Sequence, residues 1–228
     1  MNNSLKTVLT GDIVGHSTQS FEIRKNLLQD LENITAYMPK QLSQIIGPEQ
    51  IQTFRGDSWQ VSFDNPRKSL LLAIYFRSFF KSFSPEADID SRISIGIAPI
   101  VFDRYHFSMS GEGEAFTISG KGLDSIAKTK YRMALYLGKD FDANYQDLFD
   151  VIIRYVDKLI TSWTIKQSYT AFRLSSGWDI NHIADKWINN IKISSAAVSQ
   201  HKKRLGWDYL ELSTKKFEIV MDRILSEM

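Results

Sequence analysis

The sequence predicts an α+β sandwich followed by an all-α segment. Three observations carry that expectation. From Lys6 to about Leu137, β-like runs alternate with helical ones. After Gly138 the β signals stop and only amphipathic stretches follow. The longest apolar runs, such as SLLLAIYF, fall far short of the roughly 20 residues that a membrane-crossing helix needs. The boundary is placed near residue 140, giving segments 1–140 and 141–228.

The elements follow in order. LKTVLTGDIV reads as a strand ending at a Gly-Asp pair. Residues 20–45 space Phe21, Leu27, Leu28, Leu31, Ile34, Met38 and Leu42 along one helical face, with a break at Pro39. QIQTFR and SWQVSF flank Gly56-Asp57, the signature of a tight hairpin. Pro66 opens a helix over 66–82. SRISIGIAPIVF and RMALYLG alternate as strands, with a helix between them around GEAFTISGK. The expected product is one sheet with helices on one face. Downstream, Leu148, Val151, Ile152, Tyr155, Val156 and Leu159 mark an amphipathic helix over 144–160. Four shorter helical stretches complete the chain.

Composition narrows the function classes. The 228 residues, 43% hydrophobic and 24% charged, are those of an ordinary globular protein large enough for one large domain or two small ones. There is no Cys, so disulfides, thiolate metal sites and cysteine nucleophiles are excluded. The first residues lack the apolar run of a signal peptide, and a cytoplasmic location is expected. The net charge of +2 means that nucleic acid would have to be held by a local patch.

One candidate site begins at LTGDIVGHS. Asp12 is planted in an apolar strand, where a lone carboxylate needs a partner. Asp57, at the hairpin tip, is the matching second carboxylate if the strands are neighbours. Two such groups repel, and Mg²⁺ or Mn²⁺ resolves the conflict, with the carbonyl of Ile13 as a third ligand. Gly15, His16 and Ser17 then form a turn entering a helix N-terminus, a place suited to phosphate, with Ser17 or Thr18 as the helix cap. Singly, each carboxylate also fits a structural role, Asp12 as a cap and Asp57 as a turn residue.

These motifs resemble the class III nucleotidyl cyclase catalytic domain over roughly the first 60% of the chain. Asp12-Ile13-Val14-Gly15-His16-Ser17 stands for its first-strand motif and Gly56-Asp57 for its metal-binding hairpin. The resemblance implies a ferredoxin-like sandwich and a nucleoside triphosphate as ligand. It also implies an active site shared by two copies, and so a homodimer. Thr53 stands where adenylyl cyclases carry a base-reading Lys. Thr117 stands in place of a ribose-orienting Asn, and Lys121 in place of the Arg at the transferred phosphate. Lys121 keeps the charge but not the two-pronged geometry. The metal half is therefore kept and the base-reading and transition-state parts are altered.

The second candidate site is SSAAVSQHKKRL. Ser194 or Ser195 is a good N-cap, and Val198 and Leu205 would face inward. Ser195, Ala196, Ser199 and Gln200 would face a DNA major groove, with Lys202, Lys203 and Arg204 holding phosphates. Ala184 is the small residue of the preceding helix, and the pair reads as a helix-turn-helix with a long connection.

Together these features resemble the SatD family. They are Gly11-Asp12-Ile13-Val14-Gly15, Gly56-Asp57-Ser58-Trp59-Gln60, Thr164-Ile165-Lys166-Gln167 and Ala197-Val198-Ser199-Gln200. The expected function is a nucleotide- and metal-responsive DNA-binding transcriptional regulator. The alternative is a nucleotidyl cyclase or related two-metal nucleotidyl transferase acting on a nucleoside triphosphate, pyrimidines included, with Lys121 as its catalytic cation.

Overall fold

The computed structural model describes residues 5–46, 51–54, 57–83, 89–99 and 113–228. Gly56 of the hairpin motif and the expected strand end at residues 100–102 lie outside the described residues.

Five strands form one sheet: β1 (Leu5–Val14), β2 (Ile51–Phe54), β3 (Ser58–Phe63), β4 (Asp90–Pro99) and β5 (Met133–Leu137), in the order β2-β3-β1-β4-β5. β4 and β5 run parallel and every other neighbouring pair is antiparallel. The odd-numbered residues of β1 face one core. Leu9 lies opposite Val61 and Ile95, and Gly11 lies opposite Trp59 and Ile93. The alternation in SWQVSF has the same origin, since Trp59, Val61 and Phe63 are all buried.

The first expected helix divides. α1 (Phe21–Glu32) is capped by Ser20, whose side chain accepts from the Ile23 N–H. Neither Ser17 nor Thr18 is the cap, because Gly15, at φ 83°, turns residues 16–18 into a single 3₁₀ turn first. α1 ends at Asn33, well before Pro39, and a 3₁₀ turn and α2 (Lys40–Ser43) follow. Phe21, expected on the apolar face, is 74% exposed in the first turn.

α3 (Ser69–Ser82) packs on the odd face, with Phe76 and Phe80 stacked on the Trp59 indole at 4.8 and 5.6 Å. α4 (Glu114–Ala127) covers part of the even face, where Val8, Ala98 and Ala115 form a small core. Helices therefore lie on both faces, contrary to the one-sided sandwich expected. The approach is close because β4 carries Gly96: a Cβ there would stand 2.3 Å from the Ala115 carbonyl oxygen.

The C-terminal segment is all helical: α5 (Ala143–Thr161), α6 (Ile165–Ser175), α7 (Ile180–Asp185), α8 (Ser195–Leu205) and α9 (Trp207–Glu227). Thr164 and Gln167 form a reciprocal capping box at the start of α6. The main hydrophobic core runs across residue 140, joining Leu9, Trp59 and Phe76 to Phe149, Ile153, Phe172 and Phe217. Of the stripe expected on α5, Val156 is buried, but Leu148, Val151 and Tyr155 are exposed.

A buried ion cluster binds the two segments. Arg77 of α3 is fully buried and donates to both carboxylate oxygens of Asp90 at 2.9 Å. It also donates to Asp157 Oδ1 at 2.6 Å and to Thr161 Oγ1 at 2.7 Å, both on α5. The other oxygen of Asp157 accepts from the Arg132 N–H at 3.0 Å. Burial alone would raise the Asp90 pKa, but the charge and hydrogen bonds of Arg77, with Lys81 and the Ser91 N–H, hold it below the usual carboxylate range. Among the described residues no helix is long and apolar enough to cross a membrane.

Candidate functional site

The Asp12 site is built by strand register. Asp12 lies opposite Ser58 of β3 and Arg92 of β4, on the even face. Arg92 grips it with two parallel hydrogen bonds, Nε to Oδ1 and Nη2 to Oδ2, each 2.8 Å. The two side chains are 19% and 23% exposed. This fork-on-fork pairing is the strong form of an arginine–carboxylate contact. A third nitrogen of Arg92 donates to the Ala127 carbonyl at the end of α4, 3.2 Å away. The backbone is anchored as well. The Asp12 carbonyl accepts from Ser91 Oγ at 2.7 Å, and Ser91 Oγ accepts from the Trp59 indole at 3.1 Å.

Asp57 comes close through the backbone. Its carbonyl accepts from the Ile13 N–H at 2.9 Å, and its carboxylate accepts from Ser58 Oγ at 3.3 Å. Its charge is felt by His16, whose pKa is nonetheless lowered: burial lowers it, Asp57 raises it and Arg24 lowers it. The His16 Nε2 is buried without a hydrogen-bond partner.

A cleft of about 370 Å³ opens beside Asp12, between the even face and α4. Thr10, Ser58 and Gln60 supply polar groups from the sheet, and Gly120, Leu123 and Asp124 line it from α4. Gln60 donates to Thr10 Oγ1 at 2.9 Å, and that oxygen is 2.8 Å from Ser119 Oγ. Asp57, Thr117 and Lys121 are not among the residues lining this cleft. Lys121 and Thr117 are exposed on α4, where Thr117 bonds back to the Gly113 carbonyl at 3.2 Å. Thr53 is exposed on β2, opposite Trp59 and two strands from β1. Gly15 and His16 are half-buried and Ser17 is exposed in the turn after β1.

A divalent cation needs free carboxylate oxygens. Arg92 occupies both oxygens of Asp12, and no cluster of three or more acidic or His side chains able to hold a metal ion occurs among the described residues. As placed, these residues do not fit Mg²⁺ or Mn²⁺ unless Arg92 leaves. The sequence reasoning missed Arg92 and Asp124. Arg92 had a signal: it is the only charged residue within the otherwise small and apolar run SRISIGIA.

The second candidate site is α8. Ser194 caps it, its side chain accepting from the Ala197 N–H. Val198 and Leu205 are buried, and Val198 packs with Tyr169, Ile183, Ala184 and Trp187. Ser195, Ala196, Ser199, Gln200, Lys203 and Arg204 are exposed, and Lys202 is half-buried. Ser195 Oγ is tied to Asn181 of α7 at 2.7 Å, which fixes how the two helices meet. The connection from Lys186 to Ser194 includes a 3₁₀ turn, with Asn189 and Asn190 both at positive φ. His201 stacks on Trp187 at 5.4 Å, and burial, with Lys166 and Arg204 nearby, lowers its pKa.

No protein-family model matches the chain, and no curated protein matches it. Among solved structures, a bacterial light-regulated adenylyl cyclase is similar over 58% of this chain and 75% of that chain, at 14% identity and a TM-score of 0.38.

Proposed function

We propose that this protein is a DNA-binding regulator that reads the duplex with α8, the arrangement implied by the SatD resemblance. The observation that carries the reading is the division of α8 into two faces. Its apolar residues are spent on packing against α6 and α7, while its small polar N-terminal residues and basic C-terminal end point to solvent. Gln200 can read an adenine edge, and Lys203 and Arg204 can hold phosphates. Two copies of the chain would present two such helices to paired half-sites.

The sheet half is proposed to respond to a nucleotide at the Asp12 cleft. Thr10, Ser58 and Gln60 suit a base or sugar. A triphosphate would meet the carboxylates of Asp12 and Asp124 with only Arg92 in compensation among the lining and paired groups. This charge balance opposes a bare triphosphate, so a nucleotide here would be held through its base and sugar.

The test is fluorescence anisotropy with a labelled random duplex over a range of salt. Binding should weaken as salt rises, because neutralised phosphates release counterions. Lys203→Gln with Arg204→Gln should flatten the log–log salt slope by about 2. Binding that ignores salt, or a double variant that binds like the wild type, overturns the reading.

A further inference from the structure

A separate cavity of about 310 Å³ lies where α1, α3 and α6 meet the connection between α7 and α8. We propose that it binds a small planar aromatic anion, gripped by Arg173.

Arg173 is the centre of the argument. Its guanidinium carbon lies 4.4 Å from the Trp178 ring centroid, 5.0 Å from Tyr169, 5.1 Å from Phe172 and 5.8 Å from Tyr37. Ring faces attract the charge but do not satisfy the N–H donors. The Nε of Arg173 is buried and has no hydrogen-bond partner, and no ion pair joins Arg173 to a carboxylate among the described residues. The Nε is closed off from the cavity, so a ligand would meet the terminal nitrogens of Arg173, which a carboxylate or phosphate group matches. Lys186 brings a second cation to the cavity, against the single carboxylate of Asp30.

The walls decide the body of the ligand. Tyr37, Phe79, Trp178 and Trp187 line the space, so a flat ring is the complementary shape. The volume is near the lower end of small-molecule sites, about 300–1,000 Å³, and so fits one ring or a fused pair rather than a nucleoside triphosphate. Asn189 and Asn190, both with left-handed backbone, also line it. A ligand here would bridge the sheet segment and the chain leading into α8. Any effect on DNA rests on the proposed function, whereas the binding itself does not.

The experiment is calorimetric titration of the full chain, without DNA, using salicylate and phenyl phosphate, with benzyl alcohol as the uncharged control. Saturable binding of one or both anions and none of benzyl alcohol is expected. The better of the two identifies carboxylate or phosphate as the preferred group. Arg173→Met should weaken it by about tenfold or more, and Lys186→Gln by a smaller factor. Lys186→Gln alters a cavity rim and leaves the Arg173 aromatic cluster intact, so it stays informative if Arg173→Met does not fold. No saturable binding of either anion by the wild type, benzyl alcohol binding as tight as the anions, or wild-type affinity in a folded Arg173→Met overturns the proposal; if Arg173→Met does not fold, full affinity in Lys186→Gln does so.

Discussion

Arg77 and Arg92 each grip a carboxylate in two-pronged fashion at the same sheet, yet they are placed for different work. Arg77 is fully buried between Asp90 and Asp157, and every contact it makes joins one element to another. Arg92 and Asp12 are about a fifth exposed, beside an open cleft. A buried charge cluster cannot lose one member cheaply, since the remaining ions have no water to turn to. A half-open pair can exchange its partner for solvent or a ligand. Depth, rather than residue type, separates the structural cluster from the one that a ligand can reach.

The largest effect that would break this comparison is at Arg77. Arg77→Met leaves Asp157 without a cationic partner and Asp90 with only Lys81, 3.6 Å away, and should cost about 3–5 kcal/mol in urea unfolding. A loss no larger than that of Arg92→Gln would remove the distinction. For Arg92→Gln, the loss should be about 1–2 kcal/mol, because water can solvate the freed Asp12. The same variant sharpens the metal question. Mn²⁺ should leave the wild-type melting temperature unchanged and raise that of Arg92→Gln, since ligand bound only to the folded state stabilises it by mass action. A wild-type shift that disappears in Asp12→Ala would show instead that Arg92 yields to the metal.

A smaller effect is expected from acid. Asp90 is held below its ordinary pKa, so its contribution is fully present above the unfolded-state value of about 3.9 and is lost as pH falls through the lower folded value. Unfolding midpoints should therefore drop more steeply below about pH 4 in the wild type than in Arg77→Met, where the favourable partner is already gone. Equal slopes would mean that Asp90 owes its ionisation to something else. The smallest effect belongs to Lys6→Gln. Its partner Asp64 is 65% exposed, and such a pair contributes about 0–1 kcal/mol, near the limit of the same unfolding measurement.

Local patterns were readable where one face of an element meets one core. The strand SWQVSF and a cap at Ser194, one of the two serines expected to serve, appear where the sequence places them. Val198 and Leu205 are buried as their spacing on α8 predicts. Patterns failed where burial depends on what else reaches the surface. Leu148, Val151 and Tyr155 continue an apolar stripe around α5 that no neighbouring element covers among the described residues. Phe21 sits in the first turn of α1, outside the reach of the core. α1 ends at Asn33, ahead of Pro39, which is the stronger stop signal in the sequence.

By itself the sequence determined the order of strands and helices, the absence of thiol chemistry and the two faces of α8. It also showed that Asp12 had to have a partner, because a carboxylate among buried apolar strands cannot stay alone. Only the tertiary structure decided which partner. Arg92 lies eighty residues away in the chain, and it meets Asp12 because β1 and β4 pair in one register. A shift of that register by one residue would turn the two side chains to opposite faces. The same holds for the Arg173 cavity, whose walls come from four separate stretches of chain. Periodicity along a chain reports the face that a residue occupies. What stands across from that face is set by packing.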